Sequence, residues 1–160
     1  MYGAHIHAAA REYGIDPKLL AALIIQESSG DARARRAEPR FYQKYLEGKP
    51  LIGDVPATAS RDTERWLRSM SYGLCQVMGQ VAREHGYKGD LLDLFDPAKN
   101  IDLGARILAL HLRAMSRVAS SEGAVRAALL RYNGGGDSTY PDKVLSHIAT
   151  NAYQRVLSIP

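Results

Sequence analysis

The sequence predicts a mainly α domain, and three observations predict it. Apolar residues recur at helical spacing from Ile6 to the C-terminal region, the runs are bracketed by capping and stop signals, and one long stretch leaves little polar surface. The start signals are Asp16-Pro17 and Asp96-Pro97, and the stops are Gly14 and Gly86. With 160 residues, 46% hydrophobic and 24% charged, the chain fits one domain around one core, expected to span 1–160.

Ile6, Ala9, Ala10 and Tyr13 form the apolar face of a first helix, which Gly14 ends. A second helix starts at Asp16, and Leu20, Leu23, Ile24 and Glu27 fall at i, i+3, i+4 and i+7, so one carboxylate shares the apolar stripe. From Asp31 to Ser71 periodicity is weak, and Pro39, Pro50, Pro56, Gly48 and Gly53 break it up. This segment reads as an inserted flap with short helices, of the length that usually carries function. Its aromatics Phe41, Tyr42, Tyr45 and Trp66 form either a stacking shelf or a satellite core, and taken singly the satellite core comes first.

Leu74, Val77, Met78, Val81 and Ala82 predict a helix from 74 that ends at Gly86 and leaves Gln76 off its apolar face. Asp96 and Pro97 open the long helix, in which Ile101, Leu103, Ala105, Ile107, Leu108, Leu110, Leu112 and Met115 make it the expected buried central helix. Further helices are expected at about 122 to 131, 140 to 149 and 151 to 158. Tyr132 continues the stripe of Val125 and Leu129, so it reads equally as core or as a ligand contact. Gly134 to Gly136 lack the flanking strand and Lys of a phosphate loop and predict a turn with close backbone approach.

Glu27 carries the chemical signal. Desolvation disfavours a charged carboxyl, and so does the negative end of its helix, so both push its pKa up, as a general acid near neutral pH requires. Read alone, Glu27 is also the ordinary polar end of a core helix, reaching past its neighbours to water. Arg36-Ala37-Glu38-Pro39 follows closely; Glu38 reads first as a surface ion pair and second as a carboxylate that reaches the same site and holds an Arg or polarises water.

Four short motifs occur in order: Glu27-Ser28, Gly73-Leu74-Cys75-Gln76, Arg131-Tyr132-Asn133 and Tyr140-Pro-Asp-Lys-Val144. In this order they resemble the lytic transglycosylase family, the soluble-type lysozyme-like domain related to goose-type lysozymes, from about Ile6 to Val144. Cys75 stands where the family has Met, a soft apolar exchange. Arg131 stands where the family has Ala and sets a cation beside the Tyr-Asn pair.

The resemblance implies a lysozyme-like helical domain that cleaves the β-1,4 bond between N-acetylmuramic acid and N-acetylglucosamine. It also implies one glutamate, Glu27, that protonates the bond and then helps the C6 hydroxyl close a 1,6-anhydro ring, without cofactor or metal. Ser28 then bonds Glu27 or substrate, Gln76 and Asn133 meet N-acetyl groups, and Tyr132 and Tyr140 offer a ring face and a hydroxyl. Two other readings stay open. If Glu38 positions water, the enzyme is a hydrolytic goose-type-like muramidase; a non-catalytic helical module binding glycan or nucleic acid is the third.

The net charge of +4 and pI near 9.3 suit an anionic polymer, and the resemblance selects peptidoglycan strands with acidic stem peptides over nucleic acid. One cysteine excludes an intramolecular disulfide and a Cys-based zinc site. His5 and His7, two apart on a helix, point apart and are not expected to share a metal, while His85, His111 and His147 read as structural or surface residues. No signal peptide is recognised, and the run Leu19 to Ile25 is too short to span a bilayer. A monomer acting on the bacterial wall in the periplasm is expected, as for a phage endolysin released from the host cytoplasm or an excised domain of a larger protein.

Overall fold

The computed structural model describes residues 2–53, 55–118 and 120–158, and the mainly α class is what it contains. Helix α1 (Tyr2–Tyr13) buries Gly3, Ile6, Ala9 and Ala10. Gly14 stops it at φ 68°, a left-handed conformation that a Cβ disfavours. Helix α2 (Pro17–Ser28) begins at Asp16, whose side chain accepts from the Lys18 N–H, and ends at Ser29 with φ 55°.

Between them α2 and its neighbours make the core. Leu19 to Ile25 are buried without interruption, so α2 is enclosed on all sides, by α1, by α8 (Tyr140–Ala149) and by α9 (Gln154–Leu157). The long helix α6 (Pro97–Met115) was expected in that central place, and the structure corrects this. Asp102 lies exposed on α6, Leu110 is 44% exposed, and the apolar face of α6 packs on α1 and on α7 (Ser121–Tyr132). A helix apolar on every side over nearly two turns, as α2 is, outcompetes a longer amphipathic one for the centre.

A second correction falls at 70–86. Instead of a helix from Leu74 there are strands β2 (Met70–Tyr72) and β3 (Val77–Met78), and only then α5 (Gly79–Glu84). The reversal between the strands depends on Gly73 at φ 67° and Gln76 at φ 46°. It is locked by the buried Asn100 of α6, whose amide donates to Tyr72 O and Leu94 O (both 2.8 Å) and accepts from Cys75 N–H at 2.7 Å. Two of these bonds, to Tyr72 O and from Cys75 N–H, hold the reversal against a helical spacing that the apolar residues satisfy either way. Helix α6 can approach this turn because a Cβ on Gly104 would lie 2.6 Å from Cys75 Sγ.

The Asp31–Ser71 segment is built into the domain. Its strand β1 (Arg35–Ala37) pairs antiparallel with β2, Arg36 opposite Ser71, and β2 pairs with β3, giving the order β1-β2-β3. Beyond β1, α3 (Pro39–Phe41) runs into a π-helical turn (Tyr42–Leu46), and α4 (Arg61–Arg68) returns the chain to β2. Glu64 of α4 is fully buried; one carboxylate accepts from Arg68 Nε and Arg83 Nε, each at 2.7 Å. Arg68 also donates to Ile52 O, and Arg83 to Tyr87 O and Gly89 O (all 2.7 Å), so these charges tie flap, α4 and the loop after α5 together. The helices expected near the C-terminus are present, with α9 shorter than the 151–158 expected. No helix among the described residues is long and apolar enough to cross a membrane.

Candidate active site

Where the helical body meets the sheet and flap, an open cleft of about 630 Å³ contains Glu27. The position follows from local sequence. Seven buried apolar residues carry α2 out of the core, and Glu27 is the first carboxylate beyond them, half-buried, in the last turn.

Burial is the main influence on Glu27 and raises its carboxyl above the ordinary range, as expected from sequence. Two contacts oppose it. The Tyr140 hydroxyl donates a hydrogen bond to Glu27 Oε1, and the Arg36 guanidinium favours the anion, yet the net shift stays upward. Tyr140 starts α8 and is buried; burial first and the Glu27 charge second hold its phenol protonated, so it remains a donor. Packing of α8 on α2 brings these two residues, 113 apart in sequence, together.

The other expected site residues divide. Gln76 lies in the cleft, its amide N–H held by Gly73 O at 2.9 Å. Tyr132 and Asn133 line it too, at the end of α7. The Tyr132 hydroxyl donates to Cys75 O at 2.8 Å, which leaves only its ring for a ligand. Tyr132 packs on the core and also lines the cleft. Cys75 is buried beneath this turn, and burial raises its thiol, so it is a packing residue.

Ser28 requires a correction. Its hydroxyl donates to Leu74 O at 2.8 Å and Ile24 O at 3.1 Å and accepts from Gly30 N–H at 3.2 Å, and it does not line the cleft. It fastens the end of α2 to the β2-β3 turn and so sets the height of Glu27 over Gln76. Glu38 lines the cleft and is ion-paired to Arg36 at 2.6 Å, uniting the two readings its sequence position allowed.

The flap aromatics also divide. Tyr42 stacks on Trp66, ring centroids 3.8 Å apart at 6°, as a satellite cluster, while Phe41 and Tyr45 face the cleft. Against expectation His85 and His111 line it as well; no spacing in the sequence signals this, because one sits at the end of α5 and the other on α6. Burial is the largest influence on both and lowers their pKa. Among the described residues no group of three or more His, Cys, Asp or Glu is placed to hold a metal ion.

A buried-edge carboxyl under a tyrosine hydroxyl, facing amides and aromatic rings in a long cleft, can deliver a proton to a neutral polar polymer. Comparison with known proteins agrees in kind. Residues 4–143 match the family described as the Transglycosylase SLT domain. Over 151 residues the chain is 27% identical to a protein named "Transglycosylase" from Enterobacteria phage PRD1, which covers 89% of this chain. The chain spans 41% of that relative's length. No solved structure matches it.

Proposed function

The chain belongs to the Transglycosylase SLT domain family, and on that premise we propose that it is a peptidoglycan lytic transglycosylase with Glu27 as its single acid and base. The substrate is the glycan strand of the bacterial wall, and the bond cleaved joins C1 of N-acetylmuramic acid to O4 of N-acetylglucosamine. The observation that carries this reading is the carboxyl of Glu27, raised by burial and held by the Tyr140 hydroxyl inside the cleft.

Protonated Glu27 gives its proton to the glycosidic O4 as the C1–O4 bond breaks, while the acetamido group of the muramic acid supports the positive charge at C1. The resulting carboxylate then takes the proton from the C6 hydroxyl as O6 bonds C1, which closes the 1,6-anhydro ring and restores the acid. No water is consumed. Tyr140 keeps the carboxyl aimed through both steps, and Gln76 and Asn133 supply amides for N-acetyl groups beside the ring of Tyr132. Glu38 favours the hydrolytic alternative only if it is released from Arg36, because its Oε1 is already taken by the guanidinium at 2.6 Å.

Mass spectrometry of digested peptidoglycan tests the reaction: anhydro muropeptides are one water lighter than reducing ones. Glu27→Gln keeps the shape and removes the proton, so product formation falls at least about a hundredfold, the lower range for general-acid catalysis. A folded variant within a few-fold of wild type, or reducing products alone, overturns this reading.

A further inference from the structure

The reaction proposed above leaves one end of the cleft unexplained. Arg131 in the last turn of α7, His111 of α6 and His85 after α5 line that end together. They are close enough for the charges of Arg131 and His85 both to act on His111, and Arg106 backs His85, to whose carbonyl it donates at 2.7 Å. The one carboxylate lining this end, Glu84, accepts a hydrogen bond from Gln80 at 2.9 Å.

Arg131 differs from the other cleft guanidinium. Arg36 is taken by Glu38 at 2.6 Å, whereas Arg131 is exposed and its side chain has no ion pair or hydrogen bond among the described residues. An N-acetylated sugar chain whose lactyl groups are amide-bonded to peptide is itself neutral and gives such a fork nothing to pair with. A carboxylate does, because the planar guanidinium can bind both of its oxygens. Arg131 also immediately precedes Tyr132 and Asn133, which face the sugar in the proposed reaction. In peptidoglycan the muramic acid is the sugar that carries a peptide, and that peptide carries free carboxylates.

We propose that Arg131, flanked by His111 and His85, is a binding site for a carboxylate of the stem peptide on the muramic acid in the cleft. The site makes the enzyme select strands that still bear their peptides. This rests on peptidoglycan being the substrate. The histidines complete the site as ring N–H donors, and the fixed charge is that of Arg131.

The test compares two substrates. Glycan strands with intact stems, and the same strands stripped of peptide by an amidase and then amidated at the lactyl carboxylates that this frees, are digested by wild type and by Arg131→Ala. The variant should lose about tenfold in kcat/KM on stem-bearing strands, the order expected for one charge-assisted hydrogen bond, and less than about twofold on stripped strands. Arg131→Lys, which keeps the charge without the fork, should fall between. Equal losses on both strands make Arg131 a glycan contact and overturn the proposal, as does no loss on either. A disaccharide with its peptide, titrated against both proteins beside the disaccharide amidated at its lactyl group, gives a readout independent of cleavage. If wild type cleaves neither strand, the transglycosylase reading fails, and a peptide-dependent affinity that Arg131→Ala does not weaken removes the Arg131 site separately.

Discussion

Glu27 is placed against its own stability. The folded chain holds its carboxyl above the ordinary value, with burial as the main cause, so between the ordinary and the raised pKa the native state binds a proton that the unfolded chain has released. The stability this contributes is full below the unfolded value, about 4.3, and is lost as pH rises through the raised folded value. Gln has no proton to lose and still accepts from Tyr140. Glu27→Gln should therefore match wild type in thermal midpoint near pH 4 and exceed it at neutral pH, even as activity disappears. Equal midpoints at both pH values would mean that burial does not strain this carboxylate. Of the residues around it, Glu27 was legible because a single helical period places it. Ser28 was not: a short hydroxyl bonds whichever carbonyl comes near, and one of its partners, Leu74 O, is 46 residues away. Asn100 escaped notice for the same reason, since two of its three bonds, to Tyr72 O and from Cys75 N–H, depend on how α6 meets the β2-β3 turn.

The elements were legible where one period and one cap agree, as in α1, α2 and α6. They failed at 70–86, where Leu74, Val77, Val81 and Ala82 satisfy a helical spacing but Gly73 and Gln76 take positive φ, and at β1, whose three exposed residues carry no apolar pattern. The flap shows the same limit. Its Pro and Gly content reads as a loose insertion, yet Glu64, Arg68 and Arg83 fix its base with charges that sequence alone would leave on the surface. Breaking a buried pair by removing one partner is strongly destabilising, so Glu64→Ala, which takes the shared carboxylate from both Arg68 and Arg83, should cost about 3–5 kcal/mol in denaturant unfolding. Asp62→Ala, breaking the Arg65–Asp62 pair in which Asp62 is 89% exposed, should cost less than about 1 kcal/mol. Comparable small losses in both variants would show that the flap base stands without the Glu64 network.

At the scale of the whole molecule, the cleft joins two kinds of architecture. The helical body supplies Glu27, Tyr132 and Asn133 to the cleft from α2 and the end of α7, with Tyr140 of α8 outside the lining but bonded to Glu27, and the order of these motifs in the sequence was enough to group them. The opposing side comes from the sheet and flap, where Phe41 and Tyr45 face inward, and nothing in the sequence separated them from the outward pair Tyr42 and Trp66. This side bears on the outcome of the reaction. Ring closure by the C6 hydroxyl and attack by water compete for the same C1, and water loses when apolar rings occupy the space next to it. Because the flap base is pinned, removing the rings alone tests this without unfolding the insertion. Phe41→Ala with Tyr45→Ala, both rings being at least partly exposed, should leave the thermal midpoint nearly unchanged, lower total turnover and raise the fraction of reducing-end muropeptides measured by mass spectrometry. If the double variant gave the wild-type ratio of anhydro to reducing product, exclusion of water would have to come from the substrate and the helical side of the cleft, and the flap would serve to hold the strand alone.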